Sequence, residues 1–61
     1  MPDEYLFSIY SIKDGVIRDK GVVTKNGRRY YLEWLGYGIK RRILKKSVER
    51  LSKSEIVSSD V

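Results

Sequence analysis

The sequence predicts a small, mostly β domain that ends in a short helical turn. Runs rich in Val, Ile and Tyr follow one another, as is typical of strands, and glycine-containing pairs separate them. Two of these pairs, Asp14-Gly15 and Asn26-Gly27, are favoured in two-residue hairpin turns because both positions tolerate a positive φ. The length of 61 residues admits one domain with a thin hydrophobic core.

About five strands are expected. Gly21 interrupts the pattern and predicts a bulge or bend between the second and third. The strand-forming segments are residues 5–12, 16–20, 22–25, 28–35 and 39–46. Residues 47–51 then predict a helical turn with Ser47 as its N-cap, in which Val48 and Leu51 are spaced to pack on the sheet. The expected division of the chain is a flexible lead-in at residues 1–4, one domain at 5–57 and a frayed tail at 58–61.

The composition excludes several kinds of site. The chain contains neither cysteine nor histidine, which rules out a disulfide framework and any Cys- or His-ligated zinc. Its eight acidic residues are scattered and show no EF-hand spacing, so we expect no metal and no cofactor. The chain also lacks a glycine-rich phosphate loop and a convincing pair of catalytic acids. We therefore expect neither an enzyme nor a small-molecule substrate.

Hydrophobic residues occur only in short runs. These runs are broken by charge and fall well short of the roughly 20 residues needed to cross a bilayer. We therefore expect no membrane partner and a cytoplasmic or nucleoid-associated location.

Positive charge is concentrated in the middle of the chain. The formal net charge is +5, but residues 20–50 carry ten basic and two acidic side chains, an excess of +8. Aromatic residues are interspersed with these bases. This combination is typical of a surface that binds a polyanion. The alternative interpretation is an ordinary solvated surface that keeps the domain dispersed.

The turns also predict which residues share a face of the sheet. A turn at Asn26-Gly27 sets Val23 opposite Tyr30, and a turn at residues 36–38 sets Leu35 opposite Ile39, Glu33 opposite Arg41 and Tyr31 opposite Ile43. The expected core side carries Val22, Tyr31, Leu35, Ile39 and Ile43, with Glu33 and Arg41 as a cross-strand ion pair. The expected open side carries Tyr30, Leu32, Trp34, Lys40, Arg42 and Leu44. A slip of one residue exchanges the two sets.

The expected open side is the candidate nucleic-acid site. Aromatic rings stack on bases or wedge against sugars, and neighbouring cations neutralise phosphates. The expected contacts are Trp34, Tyr30, Arg28, Arg29, Lys40, Arg42 and Lys45. Arginines are preferred to lysines because a guanidinium presents a fork of donors to a phosphate. The alternatives are that Trp34 and Tyr30 belong to the core and that the basic pairs only add solubility.

Residues 30–37, Tyr-Tyr-Leu-Glu-Trp-Leu-Gly-Tyr, resemble the central strand of the chromodomain family, which reads approximately Tyr-Leu-Val-Lys-Trp-Lys-Gly-Tyr. The family's following Trp-Glu-Pro-Glu segment is replaced here by Lys-Arg-Arg-Ile-Leu at residues 40–44. The resemblance implies an SH3-like curved sheet or barrel with a C-terminal helix. It also implies that Tyr5, Trp34 and Tyr37 stand where that family builds an aromatic cage, which holds methyl-lysine by cation–π attraction.

In size, basic charge and lack of cysteine the chain is also similar to the small chromatin proteins of crenarchaea, which are SH3-like and bind duplex DNA with little sequence preference. We expect low-specificity nucleic-acid binding of this chromatin type, with duplex DNA preferred to RNA because the inferred face is a continuous sheet with few loops. One alternative is a protein-interaction module that binds a peptide in the chromodomain manner, or accepts a strand or a second copy at a sheet edge. Another is an RNA- or ribosome-associated accessory protein.

Overall fold

The computed structural model describes residues 3–53 and 56–58. In chain order its elements are β1 (Glu4–Lys13), β2 (Val16–Asn26), β3 (Arg29–Trp34), β4 (Ile39–Ile43), α1 (Lys45–Ser52) and β5 (Ile56–Ser58). The first four strands are antiparallel, and β5 pairs in parallel with β1, which gives the order β4-β3-β2-β1-β5. The prediction of a mostly β fold is confirmed. The described residues form an open sheet and do not close into the barrel that was the second form expected.

Four antiparallel strands take the place of the five expected, because the segments at 16–20 and 22–25 are one continuous strand, β2. Gly21 pairs with Ile9 of β1 on one side and with Trp34 of β3 on the other. The predicted bulge at Gly21 is therefore wrong. The register between β1 and β2 shifts instead at Leu6 and at Arg18.

The turn between β1 and β2 is the predicted one. Lys13 pairs with Val16, and the two residues between them, Asp14 and Gly15, have φ values of 52° and 75°. Positive φ at both central positions is the requirement that favours Asp-Gly at this site.

The turn between β2 and β3 lies one residue later than predicted. Asn26 pairs with Arg29, so the two turn residues are Gly27 and Arg28. Of these two, Gly27 alone has a positive φ, 63°, which is the φ pattern of a type II′ turn. The later turn moves the pairing between β2 and β3 by two residues. Because side chains alternate with a period of two, the residues predicted to share a face of these two strands still share it.

The connection between β3 and β4 is one residue longer than predicted. Residues 35–38 form the loop, and the backbone N–H groups of Tyr37 and Gly38 donate to the carbonyl oxygen of Trp34 at 3.2 and 2.9 Å. The φ of Gly38 is 66°. Every predicted pair between β3 and β4 is therefore wrong by one residue, which exchanges the faces of β4. The observed pairs are Trp34 with Ile39, Glu33 with Lys40, Leu32 with Arg41, Tyr31 with Arg42 and Tyr30 with Ile43.

The hydrophobic core lies on the side of β2 and β3 that was expected to be open. Ile9 and Val23 are 1% and 0% exposed. Val23 lies directly opposite Leu32, so Leu32 and its alternate neighbour Trp34 are on the core side. Val22, which was expected in the core, is on the opposite face.

Gly21 explains why this side of the sheet is the buried one. A Cβ atom at Gly21 would lie 3.0 Å from Cγ1 of Ile9, 3.0 Å from Cζ3 of Trp34 and 3.1 Å from Cδ1 of Leu32. The edge of the indole ring and the side chains of Ile9 and Leu32 therefore crowd the space in which a Cβ atom at Gly21 would lie. Any other residue at this position occupies the space that the indole ring uses.

The helix begins two residues earlier than predicted. Leu44 is its N-cap and makes no side-chain capping hydrogen bond, so the prediction of Ser47 as the N-cap is wrong. Val48 is buried and Leu51 is partly buried, in agreement with the predicted packing of this pair. No helix in the described part of the chain is long and apolar enough to span a membrane.

The expected lead-in and tail overlap the folded sheet. Glu4 is the first residue of β1, and Oδ1 of Asp3 accepts a hydrogen bond from Nδ2 of Asn26 at 2.9 Å. Ser58 is the last residue of β5. The remaining residues of the expected lead-in and tail, 1–2 and 59–61, lie outside the described residues.

We expect Gly21→Ala to lower the free energy of unfolding by about 1–3 kcal/mol, because the added methyl group overpacks the core. Urea denaturation followed by far-UV circular dichroism measures the change. Lys20→Ala is the control, since Lys20 is the exposed neighbour on the same strand; its effect stays within about 0.5 kcal/mol. Equal transition midpoints for Gly21→Ala and the parent would contradict the packing described here.

Candidate nucleic-acid interface

Trp34 shares its face of the sheet with apolar residues of β4. Because directly paired residues lie on the same face, Ile39, Arg41 and Ile43 stand beside Trp34, Leu32 and Tyr30. We call these six residues the Trp34 face. Lys40 and Arg42, which were predicted to flank the indole, lie by register on the opposite face of β4. The longer loop at residues 35–38 is the cause of this difference.

A broad, open hollow of about 500 Å³ lies on the Trp34 face. We call it the apolar hollow, and it is lined by Leu32, Trp34, Tyr37, Ile39, Arg41 and Ile43. Tyr37 is 70% and Ile39 47% exposed, while Trp34 is partly exposed. The indole of Trp34 therefore belongs both to the core, where one edge packs on Gly21, and to the open surface of the apolar hollow. Contiguous exposed apolar surface of this kind marks an interaction site more often than scattered apolar residues do.

The loop that carries Tyr37 is held by Asp19 of β2. Oδ1 of Asp19 accepts hydrogen bonds from the backbone N–H groups of Gly36 and Lys20, each at 2.8 Å. The N–H of Leu35 donates to the carbonyl oxygen of Lys20 at 3.0 Å. The carboxylate thus fastens the β3–β4 loop, which carries Tyr37, to β2.

The second oxygen of this carboxylate, Oδ2 of Asp19, is buried and has no hydrogen-bond partner among the described residues. Asp19 lines a smaller hollow of about 250 Å³ together with Trp34, Tyr37, Ser11 and Arg18. Asp19 and the two aromatic residues therefore border the same space. The guanidinium-bearing side chain of Arg18 borders it as well.

A third hollow adjoins the apolar hollow, since Ile43 lines both. We call it the basic hollow; it measures about 290 Å³ and is lined by Lys25, Gly27, Arg28, Tyr30, Arg42, Ile43, Leu44 and Lys45. Four of these residues are cationic and none is acidic. Among the described residues none of the four forms an ion pair. The ammonium group of Lys25 lies 5.8 Å from the ring centroid of Tyr30, which is within the range of cation–π attraction.

Lys40 differs from the bases of the basic hollow because it is neutralised. Its ammonium group forms an ion pair with Oδ2 of Asp3 and lies 5.0 Å from the ring centroid of Tyr31. The hydrogen bond from Lys40, aided by a second from Asn26, lowers the pKa of Asp3, and the same bond to Asp3 raises the pKa of Lys40. Both groups are therefore charged at neutral pH. Within the described residues, Lys40 is the one predicted phosphate contact that forms an ion pair.

The structure brings together four of the predicted nucleic-acid contacts. Arg28, Tyr30, Arg42 and Lys45 line the basic hollow, and Trp34 lines the apolar hollow next to it. Arg29 is the exposed first residue of β3 and lines neither hollow. The predicted site is therefore divided into a basic part and an apolar part that meet at Ile43.

Tyr5 does not join the other two residues of the predicted aromatic cage. It pairs with Thr24 and so lies on the face of the sheet opposite Trp34. Its hydroxyl shares a hydrogen bond of 2.8 Å with the hydroxyl of Ser8. Trp34 and Tyr37 line two hollows together, and Tyr5 lines neither of them.

Three residues of this surface were missed from the sequence. Lys25 lies directly opposite Tyr30, and a turn placed at Gly27-Arg28 predicts this pairing. Arg41 was expected opposite Glu33, on the face away from Trp34, because of the one-residue error in the register of β4; it pairs instead with Leu32, beside Trp34. The contact of Asp19 with the loop joins residues 17 positions apart, and no local pattern indicates it.

Comparisons with known protein families, with curated proteins and with solved structures found no match. The resemblance to chromodomains, carried by residues 30–37, and the resemblance to small crenarchaeal chromatin proteins therefore stay predictions.

We expect Asp19→Ala to loosen the loop at residues 35–38, because the N–H of Gly36 loses its acceptor. Loss of a hydrogen bond to a charged group at this partly exposed site should cost about 1–2 kcal/mol and speed amide exchange at Gly36. Asp19→Asn keeps an oxygen in place and should retain most of the protection. Hydrogen exchange followed by NMR makes the comparison. Unchanged exchange at Gly36 in Asp19→Ala would show that this bond does not hold the loop.

Proposed function

We propose that this protein binds nucleic acid with low sequence specificity, and duplex DNA in preference to RNA. The observation that carries the proposal is the junction of the two hollows, where an open aromatic and apolar surface meets a cluster of cations whose described lining contains no acidic residue. Five bases line the two hollows: Lys25, Arg28, Arg41, Arg42 and Lys45. Among the described residues none of the five is neutralised by a carboxylate.

The five bases supply the electrostatic part of binding. Each base that neutralises a phosphate releases condensed counterions, and affinity then falls with salt at a slope of about −0.9 per contact on duplex DNA. Five contacts correspond to a log–log slope near −4 to −5. Clustered positive charge also speeds association by attracting the polyanion from a distance.

The apolar hollow supplies contacts that are indifferent to sequence. Trp34, Tyr37 and Ile39 present ring faces and methyl groups, which stack on bases, press on sugars or wedge at a base step. Such groups do not read the hydrogen-bond pattern that distinguishes one base pair from another. A continuous sheet surface with short connections suits a duplex better than the splayed single strands that proteins read in RNA.

A cation-binding module is the second candidate function, and one observation favours it. Asp19, whose buried Oδ2 has no hydrogen-bond partner among the described residues, lines one hollow with Trp34 and Tyr37, and two rings with a carboxylate attract an ammonium group. This corresponds to the peptide-binding alternative, with a lysine or methyl-lysine side chain as ligand. Arg18 on the same hollow and Arg41 on the neighbouring one oppose it. We therefore place nucleic-acid binding first.

We expect Tyr37→Ala to weaken binding to duplex DNA by about fivefold or more, the effect of losing one aromatic contact. The fold should persist because Tyr37 is 70% exposed. Tyr5→Ala is the matched control, since Tyr5 is also exposed, at 59%, but lies on the opposite face. Fluorescence anisotropy of a labelled duplex, measured at several salt concentrations, gives both the affinity and the slope.

Two results would overturn the proposal. One is a parent protein whose affinity for duplex does not depend on salt or is absent at low salt. The other is an equal effect of Tyr37→Ala and Tyr5→Ala. Titration with a trimethyl-lysine peptide in parallel distinguishes the second candidate, because peptide binding without duplex binding would assign the site to a cation.

A further inference from the structure

We propose that the basic hollow is a discrete phosphate-binding site, in which particular side chains surround one phosphate group. The inference rests on the proposed function, because it names the part of the nucleic acid that occupies this place. A general positive surface and a phosphate site differ in one respect. Removing one of two neighbouring basic residues of the same type has unequal effects on binding only if there is a site.

The arrangement of charge favours a site. Lys25, Arg28, Arg42 and Lys45 come from the end of β2, the β2–β3 turn, β4 and the start of α1, and they line one concave space. Like charges gathered in this way repel one another, and among the described residues of the lining no acidic side chain offsets the repulsion. A bound anion removes this cost and gains charge-assisted hydrogen bonds from guanidinium and ammonium groups.

The other walls of the hollow suit a phosphate that is attached to a sugar. The ring of Tyr30 and the side chain of Ile43 form part of the lining. Ile43 also lines the apolar hollow, so a strand that crosses the Trp34 face passes from one hollow into the other. At about 290 Å³ the space is near the lower limit, roughly 300 Å³, of pockets that hold small organic ligands. It admits a phosphate together with part of the adjoining sugar.

The chain contains two matched pairs of basic residues that serve the test. Arg28 lines the basic hollow and Arg29, its neighbour, does not; Lys45 lines it and Lys46 does not. All four residues are exposed, so replacement by glutamine removes one charge in each case with little effect on the fold. The four variants are Arg28→Gln, Arg29→Gln, Lys45→Gln and Lys46→Gln.

The first arm measures affinity for a duplex with 5′-hydroxyl ends over a range of salt. We expect Arg28→Gln and Lys45→Gln each to weaken binding by about tenfold and to reduce the magnitude of the salt slope by about 0.9. Arg29→Gln and Lys46→Gln should leave the slope nearly unchanged. A second arm uses the same duplex with 5′-phosphate ends. If the two variants of each pair differ in affinity only for the duplex with 5′-phosphate ends, the hollow binds a terminal phosphate and not an internal one.

A third arm separates this proposal from the proposed function. Inorganic phosphate is added to the ¹⁵N-labelled full chain, and amide shifts at Lys25, Tyr30 and Lys45 are followed by NMR. Shifts that saturate in the parent and in Arg29→Gln, but not in Arg28→Gln, support the site even if duplex DNA does not bind. The site is overturned if both members of each pair behave equally in the first two arms and Arg28→Gln and Arg29→Gln behave equally in the third. If duplex binding nevertheless depends on salt, the proposed function stands without it.

Discussion

The contact between the indole edge of Trp34 and the backbone of Gly21 determines how this sheet is arranged. With no side chain at Gly21, the ring edge and the side chains of Ile9 and Leu32 pack over β2 in the space that a Cβ atom would take. This contact fixes which face of β3 is buried, and the rest of the indole borders the open hollow beside it. One residue therefore belongs to the core and to the candidate binding surface, which is an economical arrangement for a chain whose core is small.

The second constraint is the length of the loop between β3 and β4. Four residues connect the strands, and Asp19 holds their backbone through the N–H of Gly36. This register places Ile39, Arg41 and Ile43 beside Trp34 and sends Lys40 to the other face, where Asp3 neutralises it. Lys40 ties Asp3 to the sheet, whereas the basic residues that line the two hollows have no acidic partner in the described part of the chain.

The sequence was sufficient where structure depends on adjacent residues and insufficient where it depends on distant contacts. The Asp14-Gly15 turn was predictable because a positive φ at both positions is a property of those two residues. The loop at residues 35–38 was not, because its length is set together with a hydrogen bond from Gly36 to Asp19 across the sheet. That single error of one residue exchanged the faces of β4. The types of residue in the candidate site were therefore predicted, but their grouping into two hollows was not.

Binding through this surface requires a Trp34 ring that is in contact with solvent and becomes covered when the polyanion binds. Because Trp34 is the only tryptophan, quenching of its fluorescence by acrylamide measures the exposure of that ring directly. We predict measurable quenching in the protein alone and a clear loss of quenching with saturating duplex DNA at low salt, restored when salt releases the duplex. An indole that is inaccessible in the protein alone, or one that is quenched equally with and without bound duplex, would contradict the account.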